Sequence, residues 1–229
     1  MRHPLRPGPA LARRAGLGVV SGVLALCGVL AADAAEIRVG GQAAVPADVV
    51  LPHPEDVPSD GLVVAGRRGV DRWARPRVVL ADPAGGSLAE RWVAEGQGLV
   101  SPDADAGVAG RLLALEAEAR AARRGIWQEA GWRVQPAAQV RGAVGDLVLV
   151  SGRVVAVGWG GDRLYLNFGE DRRRDFTARI ARADARALTR GGIDPERLAG
   201  REVRLRGWLF YLGGPMIEIA GPAQIEVLP

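Results

Sequence analysis

The chain has 229 residues, with 30 Lys+Arg against 26 Asp+Glu, and every one of the 30 is arginine. Its single cysteine, Cys27, excludes a disulfide framework, and one histidine beyond residue 34, His53, is no basis for a zinc centre. The net charge of +4 is too small to mark a polycation, and the pI of 10.4 partly reflects arginine's high pKa in a chain without lysine.

The first residues, MRHPLRPGPALARR, carry four arginines and lead into an uncharged stretch from Ala15 to Ala32, then Ala32-Asp33-Ala34. A basic region, an apolar region and an A-x-A site together read as a secretory signal peptide cleaved after Ala34. The expected location is the periplasm or the exterior, with no membrane span left after cleavage; the alternative is that the segment is retained as an uncleaved anchor. Arg13-Arg14 fits a twin-arginine signal only loosely, and Leu26 is too large for a lipobox ending at Cys27. Without residues 1–34, the chain holds 26 arginines against 25 acids. Residues 35–135 carry 12 arginines and 14 acids, and residues 136–229 carry 14 and 11, so polyanion affinity is expected in the C-terminal part.

Glu36–Val39 and Gly61–Ala65 read as short strands, and residues 52–61 as a loop rich in Pro, Asp and Ser. The stretch DRWARPRVVLAD (71–82) reads as a hairpin strand, with Pro76 marking it as an edge or irregular strand. Ala84-Gly85-Gly86 predicts a turn, and Ser87 with Glu90 predicts a capped helix over LAERWVAEG. Ser101-Pro102-Asp103 opens a longer helix over about residues 104–124. Leu112, Leu115, Ala119 and Ala122 give its apolar spacing and Gly125 its end. Ile126-Trp127 then folds back as an apolar plug. A short link at Gln135-Pro136-Ala137-Ala138 separates a domain at 35–135 from one at 136–229.

The order D-R-W-A-R, strand, turn, LAERWVAEGQGLV and EAEARAARRGIW is similar to the staphylococcal nuclease-like (thermonuclease) family. Its corresponding stretches read D-[RK]-[YF]-G-R and E-x-x-A-[RK]-x-x-[RK]-x-G-[IL]-W, and the resemblance covers residues 71–132. It implies that Arg75 contacts a scissile phosphate, as a guanidinium fork suits. It also implies that Trp73 stands beside a bound nucleotide, where stacking tolerates any base; ordinary packing of Trp73 is the competing reading.

The departures bear on catalysis. Family nucleases use calcium held by two aspartates, together with an arginine and a glutamate in a strand reading R-[LV]-x-G-[IV]-[DE]-x-P-E. The best counterpart here runs from Arg38 to Pro46, with Arg38 as the arginine, Ala43 at the aspartate position and Pro46 at the glutamate position. Neither a methyl group nor a pyrrolidine ring supplies the oxygen that calcium requires. The signal peptide leaves no chain for the family's first two strands. No cofactor is expected, and calcium enters only if Asp48, Glu55, Asp56 or Asp60 replaces the missing ligands.

Residues 147–159, 163–169, 175–181, 201–211 and 215–228 read as five strands, with a helix between the third and fourth. That order is expected of an OB-fold barrel, and GRVVAVG, YLNFG, DFT and GxPMIEI resemble the OB-like domain that follows some bacterial thermonuclease domains. Alternation points Leu164, Leu166, Phe168, Phe176, Ala178 and Ile180 inward. It leaves Arg163, Tyr165, Asn167, Thr177 and Arg179 on the surface that OB-folds use for oligonucleotides, flanked by the loop carrying Trp159. Arg204, Arg206, Trp208 and Phe210 form either a second basic-aromatic strip or a docking surface for the first domain.

The expected fold class is α+β, mainly β: a truncated nuclease-like barrel with two helices, then a five-stranded OB-like barrel. The expected function is binding of single-stranded nucleic acid or another phosphate-bearing ligand, with catalysis lost or weak. The alternatives are a metal-dependent phosphodiesterase with non-standard ligands and a scaffold that binds an envelope protein.

Overall fold

The computed structural model describes residues 37–57, 61–71, 74–171 and 173–229. The expected signal peptide (residues 1–34), Asp60, Arg72 and Trp73 lie outside the described residues. The protein is α+β, with three α-helices and four separate sheets among the described residues.

In the first half, β1 (Ile37–Val39) and β2 (Gln42–Pro46) form a hairpin turned by Gly40 and Gly41, both at positive φ. After the short β3 (Val49–Val50) come β4 (Val63–Val70) and β5 (Pro76–Ala81), a second hairpin. The sheet order is β1-β2-β5-β4, with β2 parallel to β5. Of the two readings Pro76 offered, the edge strand is excluded, because β5 has neighbours on both sides. The irregular strand is the one that forms: the β4–β5 ladder shifts register between Val64 and Gly66 and again between Arg67 and Val70. The proline stands at the first residue of β5, where its missing N–H interrupts no interior ladder bond.

Helix α1 (Leu88–Glu95) is capped by Ser87, whose side chain accepts the Glu90 N–H at 3.3 Å, and it ends at Gly96 with φ 74°. The short β6 (Leu99–Val100) pairs with β3. Helix α2 (Ala106–Ala121) starts later than the spacing suggests, because the Asp105 carboxylate caps it through the Gly107 N–H at 2.9 Å.

The end of α2 also differs from the expectation. Arg124 N–H reaches Ala119 O at 2.9 Å and Arg123 N–H reaches Arg120 O at 3.1 Å, the paired bonds of a Schellman stop, with Arg123 at φ 51°. Gly125 serves another contact: a Cβ there would lie 2.2 Å from Gly96 O. A left-handed arginine carries strain that glycine lacks, so Arg123→Gly should raise stability by about 0.5–1 kcal/mol. A lower melting temperature for this variant would contradict that account.

In the second half, β7 (Gln135–Pro136) pairs in parallel with β8 (Leu147–Arg153), so the expected link is part of a sheet. Then follow β9 (Ala156–Gly160), β10 (Arg163–Asn167), β11 (Thr177–Ala181), α3 (Arg182–Arg190), β12 (Glu202–Trp208), β13 (Phe210–Leu212), β14 (Gly214–Ile219) and β15 (Ile225–Val227). One sheet runs β13-β14-β11-β10-β9 and the other β15-β12-β8-β7, and neither closes on itself. Each of the three longest expected strands is broken in two, and the break carries the chain from one sheet to the other. The inner faces share one core of Val148, Val150, Leu164, Leu166, Phe176, Ile180, Leu205 and Ile217, with Leu188 of α3 against it.

The halves meet in a further cluster, where Val50, Leu99, Ala119, Ile126, Trp127 and Trp132 pack with Leu147, Leu149 and Trp208. At this junction the Arg206 side chain, 1% exposed, meets Glu116 of α2, 0% exposed. Arg206 Nη1 donates to Glu116 Oε2 at 2.6 Å and Nη2 to Oε1 at 2.9 Å. Val100 N–H and Arg120 Nη1 complete the Glu116 carboxylate, and Arg206 also donates to Glu226 at 3.0 Å. The arginine strip on residues 204–210 is thus, at Arg206 and Trp208, the docking surface between the halves. Burial opposes the charge on Glu116, but Arg206, the Val100 N–H and Arg120 together hold its carboxyl below the ordinary glutamate value. Burial likewise opposes the charge on Arg206, and Glu116 and Glu226 outweigh it to hold the guanidinium above its ordinary value.

Candidate nucleic-acid interface

The outward face of the five-stranded sheet is assembled row by row from the ladder registers. Tyr165 on β10 stands opposite Gly158 of β9 and Arg179 of β11, and Arg179 stands opposite Glu218 of β14. In the next row Ala156, Asn167, Thr177, Met216 and Phe210 are successive neighbours. All five residues expected on this surface, Arg163, Tyr165, Asn167, Thr177 and Arg179, do share it.

The physical reason for a cavity here is the composition of β9. Its outward positions are Ala156, Gly158 and Gly160, so β10 borders a trough with a backbone wall. The trough is about 370 Å³, lined by Gly158, Trp159, Gly160, Tyr165, Asn167, Thr177 and Met216. That volume lies within the usual range of small-ligand sites, which are apolar with a few placed polar groups. The Tyr165 ring lies against Gly160, where an added Cβ would sit 2.9 Å from its Cε2. Asn167 and Thr177 supply the polar floor. Thr177 Oγ1 donates to Asn167 Oδ1 at 3.5 Å, and Asn167 Nδ2 donates to Ala156 O at 3.4 Å. Both residues are buried, more than an open surface strip implies.

Trp159 borders the cavity in a different way. Its register partner is the inward Leu164, and the Arg182 guanidinium lies 4.2 Å over its ring. The aromatic platform facing the trough is therefore Tyr165. Two residues that sequence reasoning missed belong to the site. Glu218 and Met216 reach the face through the parallel pairing of β11 with β14, and alternation within PMIEI was the available signal.

The residues suggested by the nuclease resemblance are held locally. Arg75 Nε donates to Asp71 Oδ2 at 2.8 Å and Arg75 N–H to Asp71 Oδ1 at 2.9 Å, clasping the loop between β4 and β5. Arg38 Nη1 donates to Gly41 O at 3.2 Å, and its partner across the hairpin is Ala43. Asp48, a candidate replacement ligand, is 5% exposed and accepts from Arg68 Nη1 at 2.9 Å and Asp105 N–H at 3.0 Å. Among the described residues no group of three or more His, Cys, Asp or Glu is placed to hold a metal ion. The side chains at the family's strand positions, the Ala43 methyl and the Pro46 ring, offer calcium no oxygen. No described helix is long and apolar enough to cross a membrane.

The trough offers a test that removes no contact. A Cβ on Gly158 meets nothing within 4 Å, and its backbone is not in the left-handed region. Gly158→Leu should therefore fill the trough and abolish ligand binding there while leaving the melting temperature within about 2 °C, as for a surface substitution. Retained binding in a folded variant would remove the trough from the site.

No family model matches the chain, and no curated protein matches it. Among solved structures, the aspartyl tRNA synthetase from Entamoeba histolytica is similar at 13% identity and a TM-score of 0.29. The match covers 44% of this chain and 22% of that one, too distant to bear on fold or function.

Proposed function

We propose that this chain is an exported binder of single-stranded nucleic acid and that it does not cleave phosphodiesters efficiently. The observation that carries the reading is the face on which Tyr165 borders a base-sized trough beside Arg163 and Arg179. A base stacked on Tyr165 would place its edge toward Asn167 and Thr177, and its phosphates would run past the two guanidiniums. Stacking of this kind tolerates every base, so weak sequence preference is expected.

The ladder order supports an OB-like reading of the second half. Taking each broken strand as one bent strand, neighbours run β8/β9, β10, β11, β14/β15, β12/β13 and back to β8. The candidate face then lies on the second and third strands, where OB-folds bind oligonucleotides. The thermonuclease resemblance over residues 71–132 agrees with a nucleic-acid ligand, while Ala43 and Pro46 argue against calcium-dependent cutting.

The test is a titration of labelled oligo(dT) with the protein at about 50 and 200 mM salt, since phosphate contacts weaken with salt. It runs beside a cleavage assay with calcium, magnesium and chelator. Salt-sensitive binding without cutting is the expected result. Metal-dependent cutting lost in Arg75→Ala would replace this reading with an active phosphodiesterase, and absence of binding would favour a protein scaffold.

A further inference from the structure

The nucleic-acid reading gives no role to Glu218, although it stands in the middle of the proposed face. Its carboxylate bridges two arginines. Oε1 accepts from Arg163 Nη1, and Oε2 accepts from Arg179 Nη2 at 2.9 Å and from Arg179 Nε at 3.3 Å. Arg179 is further fixed by the Phe210 ring, 4.5 Å below its guanidinium carbon. The side chains of Arg163, Arg179 and Glu218 stay 33%, 25% and 38% exposed, so an incoming ligand reaches all three.

Two guanidiniums converging on one anion form the donor set that also receives a phosphate, whose oxygens take the same charge-assisted bonds. We propose that the Glu218 carboxylate occupies the seat of the ligand's phosphate and competes with it, setting the affinity and salt dependence of this face. The proposal rests on the single-strand reading above. Other acids crowd the same seat. Asp162 lies 3.8 Å from Arg163 Nε, and the Asp184 carboxyl is held above its ordinary value by partial burial and by the charge of Glu218. The face is therefore close to neutral despite its arginines. Its ligand is selected by the base on Tyr165 more than by bulk negative charge, which disfavours duplexes, whose bases are stacked away.

Glu218→Gln keeps the shape of the side chain and removes its charge. In the titration with labelled oligo(dT), this variant should bind about two- to fivefold more tightly at low salt, the scale of an exposed ion pair released. Its plot of log affinity against log salt should be steeper by about 0.7, one additional phosphate contact on a single strand. If the natural chain binds and Glu218→Gln binds equally or less tightly, with its melting temperature unchanged, the competitor role is overturned and the single-strand reading survives. Binding by the variant alone would support the competitor role and overturn the reading for the natural chain. No binding by either overturns both.

Discussion

Glu116→Ala is expected to destabilise the protein by about 3–5 kcal/mol, the cost of leaving a buried charge without its partner. Arg206 would then keep the Val100 carbonyl at 3.3 Å and, as its sole carboxylate, Glu226, itself already engaged by Arg204 at 3.1 Å, with the charge of Arg120 also acting on it. Arg120 is already held below its ordinary value, by burial first and then by Arg204. Replacing both partners with apolar side chains, Glu116→Leu with Arg206→Met, should cost much less than either charge removal alone. Urea denaturation of Glu116→Leu, Arg206→Met and the double variant checks this. Equal costs for the single and double variants would mean that the pair is not the junction's principal tie.

The same pair sets a pH window. Glu116 titrates below its ordinary value of 4.5 in the folded chain. The stability it contributes is complete above the ordinary value and is lost as pH falls through the depressed folded one. The melting temperature should therefore fall on acidification below about pH 4.5 more steeply in the natural chain than in the apolar double variant. Parallel curves would contradict that assignment.

Tyr165→Ala should weaken binding of single-stranded DNA by about 5- to 150-fold, the span of about 1–3 kcal/mol for one stacked base. The residue is half-buried at the rim of the trough, so its loss should leave the melting temperature nearly unchanged. Arg75→Ala gives the contrast. It opens the clasp with Asp71 and loosens the hairpin of β4 and β5, and it should leave oligonucleotide affinity within about twofold, as for a residue outside the site. The reverse pattern, with affinity lost at Arg75 and kept at Tyr165, would move the site to the first half.

What the sequence disclosed followed the range of its physical signals. Alternation in RLYLN and TARI was enough to place Tyr165 and Arg179 on one face and Leu164, Leu166 and Ile180 in the core, because both signals are local. Ser87 and Glu90 marked α1 for the same reason. Pro76 pointed to an irregular strand, as the bulged β4–β5 ladder shows, but its edge reading failed because the sequence does not show that β2 comes in parallel to flank β5. Glu218 was missed because only the parallel pairing of β14 with β11 brings it to Arg179. The partnership of Arg206 with Glu116 spans 90 residues and two elements, and no spacing rule reaches it. The phosphate role suggested for Arg75 came from a motif whose aspartate, in this chain, is the arginine's own partner.

The most direct test of the account is to follow backbone amide resonances of the protein as a short oligo(dT) is added. Shifts should concentrate at Gly158–Gly160, Arg163–Asn167, Thr177–Arg179 and Met216–Glu218, with quiet resonances at Asp71, Ala74 and Arg75. Shifts confined to the hairpin of β4 and β5, or none at saturating oligonucleotide, would contradict it.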